Sequence, residues 1–138
     1  MAMISTRGRY ALRVLVDLAE HQEKDRYLPL KDIAKRQDIS EKYLESIVKL
    51  LVQGGVLQGS RGKGGGYRLA LAPETCTLGR ILRLTEGDLA PVACLEAGAM
   101  PCERADRCPT LPAWNRLNSM ISQFLDSVTL ADLTAAAS

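Results

Sequence analysis

Residues 39–67, ISEKYLESIVKLLVQGGVLQGSRGKGGGY, combine a capped amphipathic helix with a glycine-rich basic segment. Apolar residues recur at i, i+3, i+4 and i+7 from position 44 to position 51, which predicts one buried helix face. Ser40 is a suitable N-cap, and Glu41 stands in the first turn, where the helix dipole favours a negative charge. Gly54 and Gly55 predict the end of this helix.

A second, shorter helix is predicted just upstream, over Leu30–Gln37. Two short helices separated by about three residues indicate a helix-turn-helix, although a generic helical hairpin has the same pattern. A longer first helix is predicted over residues 9–20, from a stripe of alanine, leucine and valine.

The segment after the capped helix predicts a β-hairpin with a positively charged tip. Strand-like residues 56–58 and 67–71 flank residues 59–66, whose glycines permit positive φ angles. Arg61 and Lys63 place two positive charges at the tip. A basic hairpin directly after a helix-turn-helix is the wing of a winged helix. The alternative, a phosphate-binding glycine loop, is disfavoured because no Lys-Ser/Thr pair follows and the next segment is strand-like.

The charge distribution favours a polyanionic partner for the first half of the chain. Residues 1–71 hold 13 Lys/Arg against 8 Asp/Glu, whereas residues 72–138 hold 5 against 8. A solvated mixed-charge surface is the alternative. Six aromatic residues and a single histidine offer little for multi-step catalysis, so we do not expect an enzyme. The apolar stretches are too short to span a bilayer and no secretory signal is evident, so we expect a cytoplasmic protein without a membrane partner.

The length of 138 residues fits one compact protomer with two regions. We expect a winged helix-turn-helix region at residues 1–72, and a cysteine loop with a dimerisation helix at residues 73–138. In the second region Thr77 is a predicted cap for a helix over residues 78–85, and residues 129–136 predict a short terminal turn or helix. Between them, apolar residues repeat at spacings of 3, 4, 3 and 4, which suits a helix packed on another helix: Trp114, Leu117, Ile121, Phe124 and Val128.

Three of the four cysteines lie in residues 90–112, a stretch with four prolines and no helical or strand periodicity. A loop of this length is uncommon in a compact domain unless it is functional or pinned. In a reducing compartment, clustered thiols favour metal or redox chemistry over a disulfide framework. The fourth, Cys76, is predicted to be a small buried apolar residue.

Four segments occur in one order along the chain: STRGRYAL at residues 5–12, ISEKYLE at 39–45, RGKGGGY at 61–67 and TLADL at 129–133. On these segments the chain resembles the Rrf2 family of bacterial winged-helix regulators, which has IscR-like, NsrR-like and CymR-like members. The resemblance covers nearly the whole chain. It implies a mostly α-helical fold with a β-hairpin wing, and a homodimeric transcription factor, in our interpretation a repressor, whose long C-terminal helix crosses to its partner.

The resemblance also implies where double-stranded DNA, as a pseudo-palindromic operator, is bound. By similarity, residues 40–45 enter the major groove and the wing reaches into the minor groove. The expected DNA-binding residues are Ser40, Lys42, Glu45, Ser46, Lys49, Arg61 and Lys63. A carboxylate near a polyanion is repelled unless it accepts a hydrogen bond from a base edge, so Glu45 is either a base contact or an i, i+4 partner of Lys49.

Cluster-binding members of the family carry three cysteines before the long helix, with five residues in each gap. The matching residues here are Cys94, Cys102 and Cys108, with gaps of seven and five residues. They are the expected ligands of a 2Fe-2S or 4Fe-4S iron–sulphur cluster. The fourth ligand stays open, because Leu111 stands where IscR-like proteins have a histidine and Arg9 stands where NsrR-like proteins have an acidic residue.

Other ligand types in the sequence leave alternatives for this site. Glu96, Glu103 and Asp106 are oxygen ligands within the loop, and the only histidine, His21, is expected at the surface. The stretch EGDLAPV at residues 86–92 is similar to CymR-like regulators, which lack the cluster cysteines. The alternative function is therefore a cluster-free, CymR-like regulator of sulphur metabolism that uses thiol oxidation, zinc or a partner protein.

Overall fold

The computed structural model describes residues 3–23, 26–96, 98–100 and 106–137. Within these residues it contains six α-helices and one antiparallel pair of strands. The elements are α1 (Thr6–His21), α2 (Leu30–Gln37), α3 (Glu41–Gln53), β1 (Leu57–Ser60), β2 (Gly66–Leu69), α4 (Leu78–Glu86), α5 (Leu111–Ser127) and α6 (Leu130–Ala137). There are also two short 3₁₀ turns in these residues. The first, Pro73–Thr75, precedes α4, and the second, Ala93–Leu95, lies within the cysteine loop between α4 and α5.

Side-chain caps begin four of the described helices, including α6, where the hydroxyl of Thr129 accepts a hydrogen bond from the amide of Asp132 at 3.2 Å. The hydroxyl of Ser40 accepts a hydrogen bond from the amide of Tyr43 at 3.0 Å, and that of Thr77 accepts from Arg80 at 3.1 Å, which confirms both predicted caps. Ser5 caps α1 in the same way, so this helix begins three residues before the predicted start. The turn between α2 and α3 contains Asp38 in the left-handed conformation, with a φ of 54°.

The core surrounds α1. Val14, Leu15 and Leu18 are fully buried and pack with the apolar faces of α2, α3 and α4. Cys76 is buried in the same cluster, as predicted, and this burial raises the pKa of its thiol. A second, smaller cluster between α4 and α5 contains Leu82, Leu89 and Leu125. In the described part of the chain, no helix is both long and apolar enough to cross a membrane.

The wing is a two-stranded antiparallel hairpin to which a third segment adds one β-bridge. β1 pairs with β2 in the register Leu57↔Leu69 to Ser60↔Gly66. The segment before α2 adds to this sheet, because Leu28 and Tyr67 exchange reciprocal backbone hydrogen bonds of 2.9 and 2.8 Å. Gly66 has a φ of 144°, and a Cβ built there would lie 2.1 Å from the carbonyl oxygen of Leu28. Only glycine allows the two segments to approach this closely.

Candidate nucleic-acid interface and cysteine loop

The outer face of α3 presents polar side chains to solvent. Its inner face holds Leu44, Ile47, Val48 and Leu51 in the core, which rotates the remaining positions outward. All seven predicted DNA-binding residues are exposed. Two of the hydroxyls also have local partners: that of Ser40 caps the helix, and that of Ser46 donates to the carbonyl of Tyr43 at 2.8 Å.

A cleft of about 470 Å³ separates α3 from the wing. It brings together Glu45 and Lys49 from the helix and Arg61 from the hairpin tip. The other lining residues were missed in the sequence: Val52, Gln53, Gly59, Ser60 and Tyr67. The signal for Tyr67 was its place after the glycine run, where the returning strand faces the helix.

The charges of the cleft are not neutralised by one another. In the part of the chain that the structure describes, Glu45 and Lys49 do not form an ion pair with one another, so the i, i+4 alternative is not realised there. Arg61 and Lys63 are exposed at a tip that turns through Gly62 and Gly64, with φ angles of 87° and 78°. The cleft therefore offers a ligand one carboxylate acceptor, Glu45, and two cationic donors, Lys49 and Arg61.

Contacts on the far side of the hairpin hold the wing in place. The guanidinium of Arg68 lies 4.6 Å from the centre of the Tyr27 ring, and Gln58 accepts a hydrogen bond from Arg68 at 3.0 Å. The side chain of Gln22 accepts from the amide of Leu69 at 2.9 Å. These contacts fix the base of the hairpin to the connection between α1 and α2.

Helix α5 exposes part of the predicted apolar repeat. Trp114, Leu117 and Phe124 are 38%, 39% and 63% exposed. Ile121 is half-buried and packs against the small cluster between α4 and α5, so at least part of its side chain belongs to the core of its own protomer. The apolar repeat extends one residue beyond the helix, which ends at Ser127, and the carbonyl of Val128 accepts a hydrogen bond from the amide of Leu78 at 2.9 Å. The place of Val128 in a dimer interface stays a prediction.

The exposed stripe continues onto the N-terminal segment. Met120, which is 58% exposed, joins Phe124 and Ile121 in an apolar groove of about 350 Å³. Met3 and Ile4 form its other wall. Met120 was missed because the heptad-like spacing selected Ile121 instead.

The described part of the cysteine loop contains two of the three predicted cluster ligands. Cys94 is an exposed free thiol in the second 3₁₀ turn. Cys108 is half-buried before α5, with its sulphur 3.4 Å from the hydroxyl of Thr110. Cys102 and Glu103 lie outside the described residues. Among the residues that are described, no three His, Cys, Asp or Glu side chains form a group that holds a metal.

The remaining ligand candidates are at the surface. Glu96 and Asp106 are exposed, and Leu111 opens α5 as a half-buried apolar residue. His21 is exposed, as predicted, and its Nδ1 lies 2.8 Å from the carbonyl oxygen of Asp17 in its own helix.

The α2–turn–α3 unit, the anchored basic hairpin and the cleft between them define a winged-helix DNA-binding protein. The family model described as "Iron-dependent Transcriptional regulator", Rrf2, matches residues 4–136. The chain belongs to the Rrf2 family of transcriptional regulators, which confirms the resemblance, the fold class and a non-enzymatic function.

Relatives of two kinds are similar to the chain. The HTH-type transcriptional regulator IscR of Aliivibrio salmonicida is 36% identical over 130 residues, which cover 94% of this chain and 76% of the relative. The structure of CymR, the global cysteine regulator of B. subtilis, is 38% identical with a TM-score of 0.79, and covers 99% of this chain and 98% of that one. The structure of T. potens IscR is 33% identical with a TM-score of 0.75, and the match covers 98% of this chain and 88% of that one.

Proposed function

We propose that this regulator is a cytoplasmic homodimer that represses transcription by binding a pseudo-palindromic operator in double-stranded DNA. The observation that carries the proposal is the cleft in which Glu45, Lys49 and Arg61 converge without pairing with one another. A helix fits the major groove, and a hairpin beside it reaches the adjacent minor groove. The basic excess of residues 1–71 supplies the sequence-independent attraction to phosphates.

The residues of α3 and the wing have different roles in this proposal. Glu45 accepts a hydrogen bond from the exocyclic amine of cytosine, which is the pairing expected of a carboxylate in the major groove. Lys42 and Lys49 contact phosphates or guanine, while Ser40 and Ser46 orient the helix at the backbone. Arg61 enters the minor groove, and its charge favours a narrow A·T-rich groove.

The dimer is proposed to form through α5. The exposed apolar stripe of Trp114, Leu117 and Phe124 would face water in an isolated protomer. A second copy of the same helix covers this stripe in a two-fold arrangement. The two recognition helices are then fixed at one half-site spacing.

Cys94, Cys102 and Cys108 are proposed to sense iron–sulphur or redox status by holding one cluster. Soft thiolates are the ligands that such clusters require, and the exposed thiol of Cys94 and the half-buried thiol of Cys108 fit that chemistry. When bound, the cluster supplies an oxidation-sensitive link between the loop and α5. The family description as iron-dependent supports this version.

A cluster-free regulator is the second candidate. The similarity to CymR favours it, since 98% of that chain is covered and its description is that of a cysteine regulator. In this version the same thiols form a reversible disulfide, bind zinc, or leave sensing to a partner protein.

Two measurements on one preparation test these proposals. Protein purified without oxygen is incubated with a random-sequence duplex library, and repeated selection is expected to enrich an inverted repeat. Failure to enrich any sequence would contradict operator binding. The visible absorption spectrum, with iron, sulphide and zinc contents, separates the two sensors: a colourless protein after reconstitution with iron and sulphide supports the cluster-free version.

A further inference from the structure

One stripe of α1 faces the turn of the helix-turn-helix. Tyr10, Arg13 and Asp17 follow one another at spacings of three and four residues, so they share a face of the helix. Asp17 is a charged residue whose side chain is completely buried. None of these residues lines the cleft beside the wing.

The buried carboxylate of Asp17 is satisfied by the last turn of α2. Arg36 donates to it through Nε at 2.9 Å and through Nη2 at 2.6 Å, and the side-chain nitrogen Nε2 of Gln37 donates at 2.9 Å. The hydrogen bond with Asp17 raises the pKa of Arg36 despite the opposing effect of burial. A buried carboxylate is stable only with such donors, so the pairing specifies where α2 ends against α1.

The contact extends from Gln37 across the turn to α3. Oε1 and the backbone carbonyl of Gln37 both accept hydrogen bonds from Arg13, the first at 3.1 Å. The guanidinium of Arg13 lies 5.2 Å from the centre of the Tyr10 ring. The Tyr10 ring meets that of Tyr43, in the first turn of α3, edge to face at 5.7 Å. The stripe therefore holds both sides of the turn that joins α2 to α3.

The geometry of α3 makes this anchorage matter for base recognition. Lys49 lies about 12 Å along the helix from its start, at 1.5 Å per residue. A tilt of about ten degrees at the turn moves that point by about 2 Å. Displacements of this size break hydrogen bonds to base edges, whereas flexible cationic side chains still reach phosphates.

We infer that Asp17 is a positioning residue for operator recognition, acting through Arg36 and Gln37 on the orientation of α3. The inference rests on the proposed operator binding. It assigns to Asp17 a role in discriminating the operator from other DNA, without any contact to DNA.

The test compares affinity for the duplex enriched by the wild-type protein with affinity for a scrambled duplex of equal length. Asp17→Asn is expected to lower the ratio of the two affinities at least about tenfold, the effect of losing one base contact. The scrambled-duplex affinity and its salt dependence are expected to stay within about twofold, because the basic residues are unchanged. The matched control is Asp126→Asn, which removes another bidentate partner of an arginine, Arg83, away from the turn.

The affinity ratio is measured well below each variant's unfolding temperature. A merely structural Asp17 would lower that temperature and leave the ratio at the wild-type value, which would overturn the inference. If Asp17→Asn does not fold, Gln37→Ala decides, since it keeps the Asp17–Arg36 pair but removes a side-chain bridge to Arg13. A wild-type ratio in Gln37→Ala would then overturn the inference. Failure of the wild-type protein to enrich any duplex contradicts the proposed function instead.

Discussion

The carboxylate of Glu86 accepts hydrogen bonds from both the backbone amide and the hydroxyl of Ser5, the residue that caps α1. The amide bond is 2.8 Å long. Glu86 is the last residue of α4, and the chain leaves for the cysteine loop directly after it. The start of α1, the helix that carries Tyr10, Arg13 and Asp17, is thus tied to the end of α4, where the chain enters the cysteine loop.

The first prediction concerns the pH dependence of this pair. Burial opposes ionisation of Glu86, but hydrogen bonds from Ser5 and Thr85 and the charge of Arg7 outweigh it, so the pKa lies below its ordinary value of 4.5. A lowered pKa in the folded state adds stability that is present above about pH 4.5 and lost as the pH falls through the folded pKa. We expect Glu86→Gln to lower the free energy of unfolding by about 1 kcal/mol at pH 6, with the difference shrinking towards pH 3.

Urea unfolding at several pH values measures this difference. Glu74→Gln, at an exposed position in the first 3₁₀ turn, is the control and should follow the wild-type protein throughout. A stability difference for Glu86→Gln that is constant from pH 6 to pH 3 would contradict the assigned cause.

The second prediction concerns the wing. Arg61→Ala is expected to weaken operator binding by about 1–3 kcal/mol, because an arginine in the minor groove is lost. Stability should be unchanged, since Arg61 is exposed at the hairpin tip. Fluorescence anisotropy with the enriched duplex measures the affinity, and Arg116→Ala, an exposed arginine on α5, is the charge-matched control. Equal affinities for the two variants would remove Arg61 from the interface.

The third prediction uses two glycines of the same hairpin. Gly64 and Gly66 both have positive φ angles, but a Cβ meets nothing within 4 Å at Gly64 and lies 2.1 Å from the Leu28 carbonyl oxygen at Gly66. Gly64→Ala should cost about 1–2 kcal/mol of stability, from backbone conformation alone. Gly66→Ala should cost more, because the backbone of Leu28 has to move. Thermal unfolding compares them, and an equal loss in both would show that the close approach is unimportant.

The fourth prediction concerns the dimer. Phe124→Glu places a charge in the exposed apolar stripe, and we expect it to convert dimers into folded monomers with weaker operator binding. Phe124 is a sharper choice than Ile121, whose replacement also disturbs the small core cluster. Ser119→Glu, on another face of α5, is the control. Sedimentation showing an intact Phe124→Glu dimer would place the interface elsewhere.

The fifth prediction concerns the cysteines. If one cluster is bound, serine at position 94, 102 or 108 should each abolish the visible absorption, because two remaining thiolates hold iron poorly. Cys76→Ala should keep the chromophore, since Cys76 is buried in the core away from solvent. In a disulfide switch, one of the three serine variants would instead respond to oxidant like the wild-type protein.

Local signals were sufficient for most of the fold. Ser40 and Thr77 were identifiable as caps because capping depends on residues within one turn. The two regions, residues 1–72 and 73–138, remain a proposal. The apolar repeat on α5 was only partly assigned, because spacing alone does not tell whether a residue such as Ile121 faces its own core or a partner.

Contacts between residues far apart in the sequence could not be predicted from local patterns. Asp17 looks like an ordinary polar residue of α1, and its partners Arg36 and Gln37 are 19 and 20 positions away. Likewise, Leu28 lies in a short connection that shows no strand pattern, yet it pairs with Tyr67 across the wing. Such pairings depend on how the helices are arranged, which no single window of sequence encodes.

The reciprocal hydrogen bonds between Leu28 and Tyr67 make the attachment of the wing measurable by amide hydrogen exchange. A free two-stranded hairpin is only marginally stable in water, so its amide hydrogens exchange with solvent rapidly. Here the amides of Leu28 and Tyr67 are both hydrogen-bonded across the junction and exchange only when the wing detaches. Deuterium uptake at these two amides therefore measures how often the hairpin swings away from the body, and operator binding should slow it.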